Sequence, residues 1–394
     1  MRAVRPHITV IMALAHVQRV PRSENSNIRC HFGITGVKET MANKKKRLVY
    51  FENWVDPVAE MILASDADVE LHRLRYGGPQ DDTWQIISQA HGYQIAPRGE
   101  LKEPWFGGAC LLEKCPSLLA ITSTGAGFDM IDVEACTGAG VIVCNQSGSN
   151  REAVAEHALG MMLCLSKKIM VANRAMKRVD ALDRFAYTGN DLKGKVVGIV
   201  GIGHIGSRTT ELCRAFGMTV LAYDPYLTEW KIAQWGAVKV ELMDLLHRSD
   251  FVSVHCPRSS ETMNMFGRAE FEAMKPTAYF INTARGGIHD EEALLAALVE
   301  HRIAGAGIDV FLREPPPTDH QLLLHDSVVS SPHIAGLTYE SLHNMARFAA
   351  EQWLTIFSGD VPPRLVNPEA WPMYCERFEC ILGFRPHGQI TRVT

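Results

Sequence analysis

The stretch from Gly194 to Asp224, GKVVGIVGIGHIGSRTTELCRAFGMTVLAYD, constrains the fold of this chain more than any other. Val196 to Val200 is a short β-branched run bounded by glycine and reads as a buried strand. Gly201, Gly203 and Gly206 follow in G-x-G-x-x-G spacing. A helical segment then ends near Gly217, and a second strand, Met218 to Tyr223, closes on Asp224. Gly201 permits the tight turn, Gly203 lets the backbone approach a pyrophosphate, and Gly206 lets the helix pack on the strand. The helix N-terminus offers free N–H groups and a partial positive charge. Asp224, about 20 residues beyond the first glycine, is placed to accept hydrogen bonds from the adenine-side ribose hydroxyls. The glycine spacing alone is a weak signal. Joined to strand, helix, second strand and terminal acid, it specifies a dinucleotide site.

On either side the chain alternates strand and helix, which implies parallel sheets with helices on both faces. Strands are expected at Leu48 to Glu52, Asp68 to Tyr76, Tyr93 to Pro97, Leu118 to Thr122 and Val141 to Asn145. Downstream of the glycine loop they are expected at Val238 to Val240, Phe251 to His255, Ala278 to Asn282, Ala304 to Phe311 and Val328 to Ser330. Glu103 to Lys114 reads as a helix. Asn150 to Val171 reads as one long apolar helix, interrupted by Glu156 and His157, of the interdomain or subunit-contact kind. A helix from Tyr339 through Ile356 is long enough to return to the first domain.

A chain of 394 residues, 46% hydrophobic, suffices for two cores. The net charge of −4 gives no footprint for nucleic acid. No run reaches the ~18 apolar residues of a membrane span. The 10 cysteines have no C-x-x-C pair and read as thiols of a reducing compartment, not as a metal site. Residues 1–40 carry Arg2, Arg5, Arg19 and Arg22, an apolar-rich run from Ile8 to Val17, and no acid before Glu24. They read as an extension upstream of Met41, with a targeting segment as the alternative. A cytoplasmic location is expected.

Three positions just beyond strand ends carry the chemistry: Arg285 in INTARGG, Glu314 in GIDVFLREPPP and His333 in SSPHIAG. An open parallel sheet gathers its ligands at that edge. A guanidinium holds a carboxylate or carbonyl oxygen in a fork. An imidazole exchanges a proton near neutral pH, and a neighbouring carboxylate orients it and stabilises its charged form.

The combination of GIVGIGHIG, INTARGG, GAGIDVFLREP and SPHIAG resembles the D-isomer-specific 2-hydroxyacid dehydrogenase family, over roughly residues 45 to 372. The resemblance implies an α/β fold, a Rossmann-type nucleotide domain inserted into a flavodoxin-like substrate domain. The boundaries then fall at 1–41 (extension), 42–145 and 337–372 (substrate domain), 146–336 (NAD-binding domain) and 373–394 (tail). It also implies NAD as cofactor, a small 2-hydroxy or 2-keto acid as substrate, a homodimer using the helix from Asn150, and a cleft that closes on ligand. The catalytic set falls on Arg285, Glu314 and His333. Cofactor contacts fall on Gly201, Gly203, His204, Ile205, Gly206, Asp224, Pro257, Thr283, Ala284, Arg285, Asp309 (towards the nicotinamide amide), His333 and Gly336. The substrate carboxylate falls to Ala126 and Gly127, with Arg285.

Some positions depart from that pattern or stand outside it. The loop after His255 reads Pro257-Arg258-Ser259 where the family usually has Pro-Leu-Thr, so Arg258 is either an anion contact or a solvated charge. Cys256 reads as an ordinary loop thiol, His204 and His255 as loop residues without acid–base roles, and His157 as a core or interface histidine. Arg98 could reach a distal charge of the substrate. The other class of reading is an NADH-binding interaction protein of the C-terminal binding protein corepressor type.

Overall fold

The alternation of strand and helix resolves into two parallel sheets. The computed structural model describes residues 45–95, 101–178, 183–388 and 390. The segment 1–41 and Arg98 lie outside the described residues. The first five strands are β1 (Lys46–Phe51), β2 (Val69–Leu74), β3 (Gly92–Ile95), β4 (Ala120–Ser123) and β5 (Ile142–Cys144). They pair in the order β2-β1-β3-β4-β5, the flavodoxin-like order. The remaining strands are β6 (Val196–Val200), β7 (Thr219–Tyr223), β8 (Val238–Lys239), β9 (Phe251–Val254), β10 (Tyr279–Asn282), β11 (Gly305–Ile308) and β12 (Val328–Ser330). Their order, β12-β11-β10-β9-β6-β7-β8, reverses direction between β6 and β9. That reversal is the Rossmann switch point, where the crevice for a dinucleotide opens.

Both sheets are covered on both faces, so side chains on successive positions feed different cores. In β1, Leu48 and Tyr50 join the cluster containing Trp353 and Phe357, whereas Val49 and Phe51 join Ile87, Tyr93 and Trp105. In β6, Val197 and Ile199 pack with Phe251 and Ile281, while Val200 packs with Val254 and Phe280.

The chain returns to the first lobe through the helix Tyr339–Ser358. Trp353 on that helix is fully buried. Its Nε1 donates to Gln94 Oε1 at 2.8 Å, and its ring lies over Gly92, where an added Cβ would come within 2.4 Å.

Three expectations are corrected. The helix expected over Asn150 to Val171 is two helices, Arg151–Ser166 and Ile169–Met176, parted at Lys168 with φ of +54°. The carbonyl of Ser166 is taken by the amide of Asn190 at 2.8 Å, so the first helix cannot continue through it. The helix expected from Glu103 begins only at Ala109; Pro104 and the Gly107-Gly108 pair delay it. The segment read as a tail holds a helix, Trp371–Leu382, whose Trp371, Tyr374 and Phe378 are buried in the first lobe. Pro372 sits in the first turn of this helix, where proline is compatible with helical geometry. The helix Arg268–Ala273, which has no counterpart in the sequence reading, starts where the Glu270 side chain accepts from the Gly267 amide at 2.9 Å.

Candidate active site

The glycine loop at the end of β6 has the shape its residue types demand. Gly201 has φ of +86°, and a Cβ there would fall 2.7 Å from the Cys256 amide nitrogen. At Gly206 a Cβ would fall 2.1 Å from the Gly201 carbonyl oxygen, so only glycine lets the helix approach the strand this closely. Around Gly203 nothing lies within 4 Å of where a Cβ would be. The helix His204–Ala215 begins there without a side-chain cap, leaving its first N–H groups to a ligand. Asp224, at the end of β7, accepts from the Ile202 amide at 3.1 Å and the Tyr226 amide at 3.0 Å. Its carboxylate thereby ties the loop to the second strand. An uncapped helix start, an open glycine and an acid at the next strand end together fit the pyrophosphate and ribose of a dinucleotide.

The other strand ends supply the chemistry. After β10, the Asn282 side chain accepts from the Ala284 amide (2.9 Å), donates to the Arg285 carbonyl (3.0 Å) and approaches His289 Nδ1 (2.9 Å). This shapes the turn that carries Arg285. Thr283 beside it has a buried hydroxyl with no partner among the described residues, consistent with a missing ligand acceptor or donor. Burial pushes the His289 imidazole down to about 4, so it stays neutral and can accept from Asn282.

After β11, Glu314 accepts from the Phe311 amide at 3.1 Å through Oε1, while Oε2 meets His333 Nδ1 at 2.8 Å. His333 has φ of +56°, uncommon outside glycine. That turn is held by Asp309. The Asp309 carbonyl accepts from the His333 amide (2.7 Å), and its carboxylate accepts from Ser331 Oγ (2.6 Å), Ile334 N (2.9 Å) and Ala335 N (2.9 Å). His157 Nε2 meets the same Ser331 hydroxyl at 2.9 Å. Asp309 is wholly buried. What its carboxylate does hold is the loop of His333.

The loop after β4 closes the site from the first lobe. Asn145 Nδ2 donates to the Ala126 carbonyl at 2.8 Å. A Cβ on Gly127 would lie 2.0 Å from Arg285 Nη2, so the loop and the guanidinium are in contact across the cleft. Asp129 in this loop pairs with Arg285 Nε at 3.2 Å and Arg258 Nη2 at 2.9 Å. Arg258 is therefore not a solvated charge; it is ion-paired between the lobes. His204 packs beside Gly148, and Gly336 comes so near Asn150 that a Cβ would fall 2.9 Å from its Nδ2. Pro257 accepts from Thr262 Oγ1 at 2.6 Å, which fixes the loop after β9. Burial raises the Cys256 thiol to about 11, as suits an unreactive loop residue.

Arg285, Glu314 and His333 thus stand at the ends of three adjacent strands, β10, β11 and, after a short turn, β12, with Ala126 and Gly127 facing them from the other lobe. Sequence reasoning missed Asp129, Asn282 and Ser331. The Asn of INTARGG lay in a motif already singled out, and Asp129 lies two residues beyond Gly127. Among the described residues no cluster of histidine, cysteine, aspartate and glutamate could hold a metal, and no helix is long and apolar enough to cross a membrane.

Comparison with known proteins points the same way. Residues 159–335 match the profile of the D-isomer specific 2-hydroxyacid dehydrogenase, NAD binding domain. The chain is 38% identical over 266 residues to a glyoxylate reductase of Thermofilum pendens, covering 66% of this chain and 78% of that protein. It is 38% identical over 249 residues to a D-3-phosphoglycerate dehydrogenase of Archaeoglobus fulgidus, covering 63% of this chain but only 47% of that longer protein. Among solved structures, a D-lactate dehydrogenase from Aquifex aeolicus in complex with NAD and lactic acid superposes with a TM-score of 0.68 at 28% identity, covering 81% of this chain and 98% of that one. A glyoxylate reductase from Paecilomyes thermophila superposes with a TM-score of 0.73 at 26% identity, covering 82% and 98%.

Proposed function

Because the chain belongs to the D-isomer-specific 2-hydroxyacid dehydrogenase family, whose second domain binds NAD, we propose that Arg285, Glu314 and His333 interconvert a D-2-hydroxy acid and its 2-keto acid. The observation that carries this assignment is the 2.8 Å contact between Glu314 Oε2 and His333 Nδ1. It fixes the ring so that Nε2 is left for the substrate. When bound, NAD(H) supplies or accepts the hydride. Gly201, Gly203, Gly206, the His204 and Ile205 amides and Asp224 hold its pyrophosphate and ribose, with Pro257, Thr283, Ala284 and Gly336 along the crevice.

The residues of the chain do the rest. The substrate carboxylate is held by Arg285 and by backbone N–H groups around Ala126 and Gly127. His333 Nε2 gives its proton to the carbonyl oxygen in reduction and takes the hydroxyl proton in oxidation. Glu314 keeps the imidazole charged until that transfer.

The test is NADH oxidation against a panel of 2-keto acids, including glyoxylate and hydroxypyruvate. Turnover with at least one is expected, and His333→Ala should lower kcat about 10²–10⁴-fold. NADH binding without turnover of any panel member would count for an interaction scaffold of the corepressor type instead.

A homodimer is proposed as well. The helix from Asn150 turns Ala158, Met161 and Met162 into the second lobe, which leaves its other face and the helix that follows for a second copy. The following helix, Ile169–Met176, buries none of its residues. Ile169, Met170, Met176 and nearby Phe185 leave apolar surface open, Phe185 at 81% exposure. Such a patch suits a second copy of the chain. The described cysteines are all unpaired thiols, which supports a cytoplasmic location.

A further inference from the structure

An open cavity of about 920 Å³ lies beside the chain's passage from the first sheet to the second, and the reaction above makes no use of it. It shares His204 with the cofactor's crevice, but Asp224, Pro257, Thr283, Asp309 and His333 are not in its walls. Its charged lining comes from three separate stretches of chain. Arg151 opens the helix Arg151–Ser166, Arg347 lies on the returning helix Tyr339–Ser358, and Arg364 lies in the segment after that helix. Ser147 and Asn344 line it as well.

The carboxylates around this cavity are already engaged. Glu152 is gripped by Arg208, through Nη2 at 2.6 Å and Nε at 2.9 Å, and Glu351 is paired with Arg347 at 2.8 Å. Arg364 has no such partner. Its Nε donates to the Ser147 carbonyl at 3.3 Å, and its two Nη groups have no hydrogen bond among the described residues. Its guanidinium lies over the Phe348 ring, 4.1 Å from the centroid, with that of Arg347 at 4.8 Å from the same centroid. Burial pushes Arg364 below its ordinary value; Glu351 opposes that shift and Arg347 adds to it. Arg151 is exposed and makes neither an ion pair nor a side-chain hydrogen bond among the described residues. The Ser147 hydroxyl and the Asn344 amide are equally unengaged there.

Two guanidinium groups without carboxylates, a hydroxyl and an amide in the walls of one cavity form the donor set of an anion site. A phosphate group matches it better than a carboxylate. Two of its oxygens can meet one guanidinium fork and a third remains for the hydroxyl or the amide. We propose that this cavity binds a small phosphate-bearing molecule distinct from substrate and cofactor, held by Arg364 and Arg151 with Ser147 and Asn344. Phe128 and Pro363 give the rest of that molecule an apolar wall. Since Arg151 belongs to the second lobe and Arg364 to the first, the ligand bridges the two.

The test is a phosphorus NMR titration of inorganic phosphate into the full chain, carried out alone, with saturating NADH, and with NADH plus oxamate. Saturable binding at one site is expected, with a Kd that neither NADH nor oxamate moves by more than about twofold. Arg364→Met and Arg151→Met should each raise that Kd about tenfold or more, the loss of a charge-assisted hydrogen bond. Arg364→Lys, a point charge without the fork, should fall between wild type and Arg364→Met. Arg248→Met removes a surface arginine paired with Asp244 and should change nothing. Absence of saturable binding, or an equal loss in Arg248→Met, would overturn the proposal. Displacement of phosphate by NADH or by oxamate would overturn it too, by placing the anion in the cofactor's crevice or at Arg285. If Arg364→Met does not fold, Arg151→Met, at an exposed position, decides the matter. Binding is read without turnover, so the outcome does not depend on the catalytic roles assigned above.

Discussion

Two side chains near the ends of β10 and β11 can be tested singly, Glu314 for its part in proton transfer and His289 for its part in stability. Glu314→Gln keeps an acceptor for the Phe311 amide but removes the charge facing His333. A hydrogen bond to a charged partner contributes about 1.5–3 kcal/mol, so kcat should fall about 10- to 100-fold with KM little changed. A loss confined to KM would mean Glu314 binds substrate instead. His289 gives the second test. It is 1% exposed, and burial depresses it from 6.5 to about 4. Below pH 6.5 the unfolded chain takes up a proton that the folded chain refuses, so stability present at neutral pH is lost as pH falls from 6.5 towards 4. The slope is about 1.4 kcal/mol per pH unit for this one residue. Urea midpoints at pH 7, 5.5 and 4.5 should show it, and His289→Gln should flatten it; an equal slope in both proteins would dismiss the role. At this scale the sequence exposed Arg285, Glu314 and His333, because each lies in a short run whose residue types have one chemical use. It did not expose the Asp129–Arg258 pair, whose partners meet only when the lobes do. Nor did it show that the Asp309 carboxylate is consumed by the amides of the His333 loop.

Elements were legible wherever burial alone dictated them. A parallel strand covered on both faces needs a short apolar run, and β6 and β7 are such runs, with Val197 to Val200 and Val220 to Ala222 buried. The break at Lys168 was not legible, because its cause is the Asn190 amide, far downstream, competing for the Ser166 carbonyl. The closing helix Trp371–Leu382 was missed because Pro368 just before it and Pro372 in its first turn look like an ending. The most heavily committed element is the returning helix Tyr339–Ser358. Trp353→Ala should cost about 3–5 kcal/mol, read as a lower guanidinium midpoint, since it empties the space over Gly92 and strips Gln94 of a donor. A change below about 1 kcal/mol would show that this helix is not part of the first core.

For the whole molecule, the two sheet orders are those of the domains that the family resemblance implies, whereas the surface at Ile169–Met176, where we propose that a second copy docks, is marked by no motif. Met176→Glu combined with Phe185→Ser should shift sedimentation from dimer to monomer at micromolar protein; an unchanged sedimentation coefficient would place the contact elsewhere. One further property follows from how the chain crosses between the sheets. It leaves the first after β5 and comes back before Tyr339, and these two passages touch, Gly336 lying against Asn150 and Val154. Two neighbouring passages of covalent chain, set side by side like the spine of a book, mark the line about which the two sheets would turn if the cleft closes on ligand as the family resemblance implies. Such a turn would carry Asp129 and Gly127 relative to Arg285, while His333 and Glu314, both on one side of that line, would keep their mutual geometry.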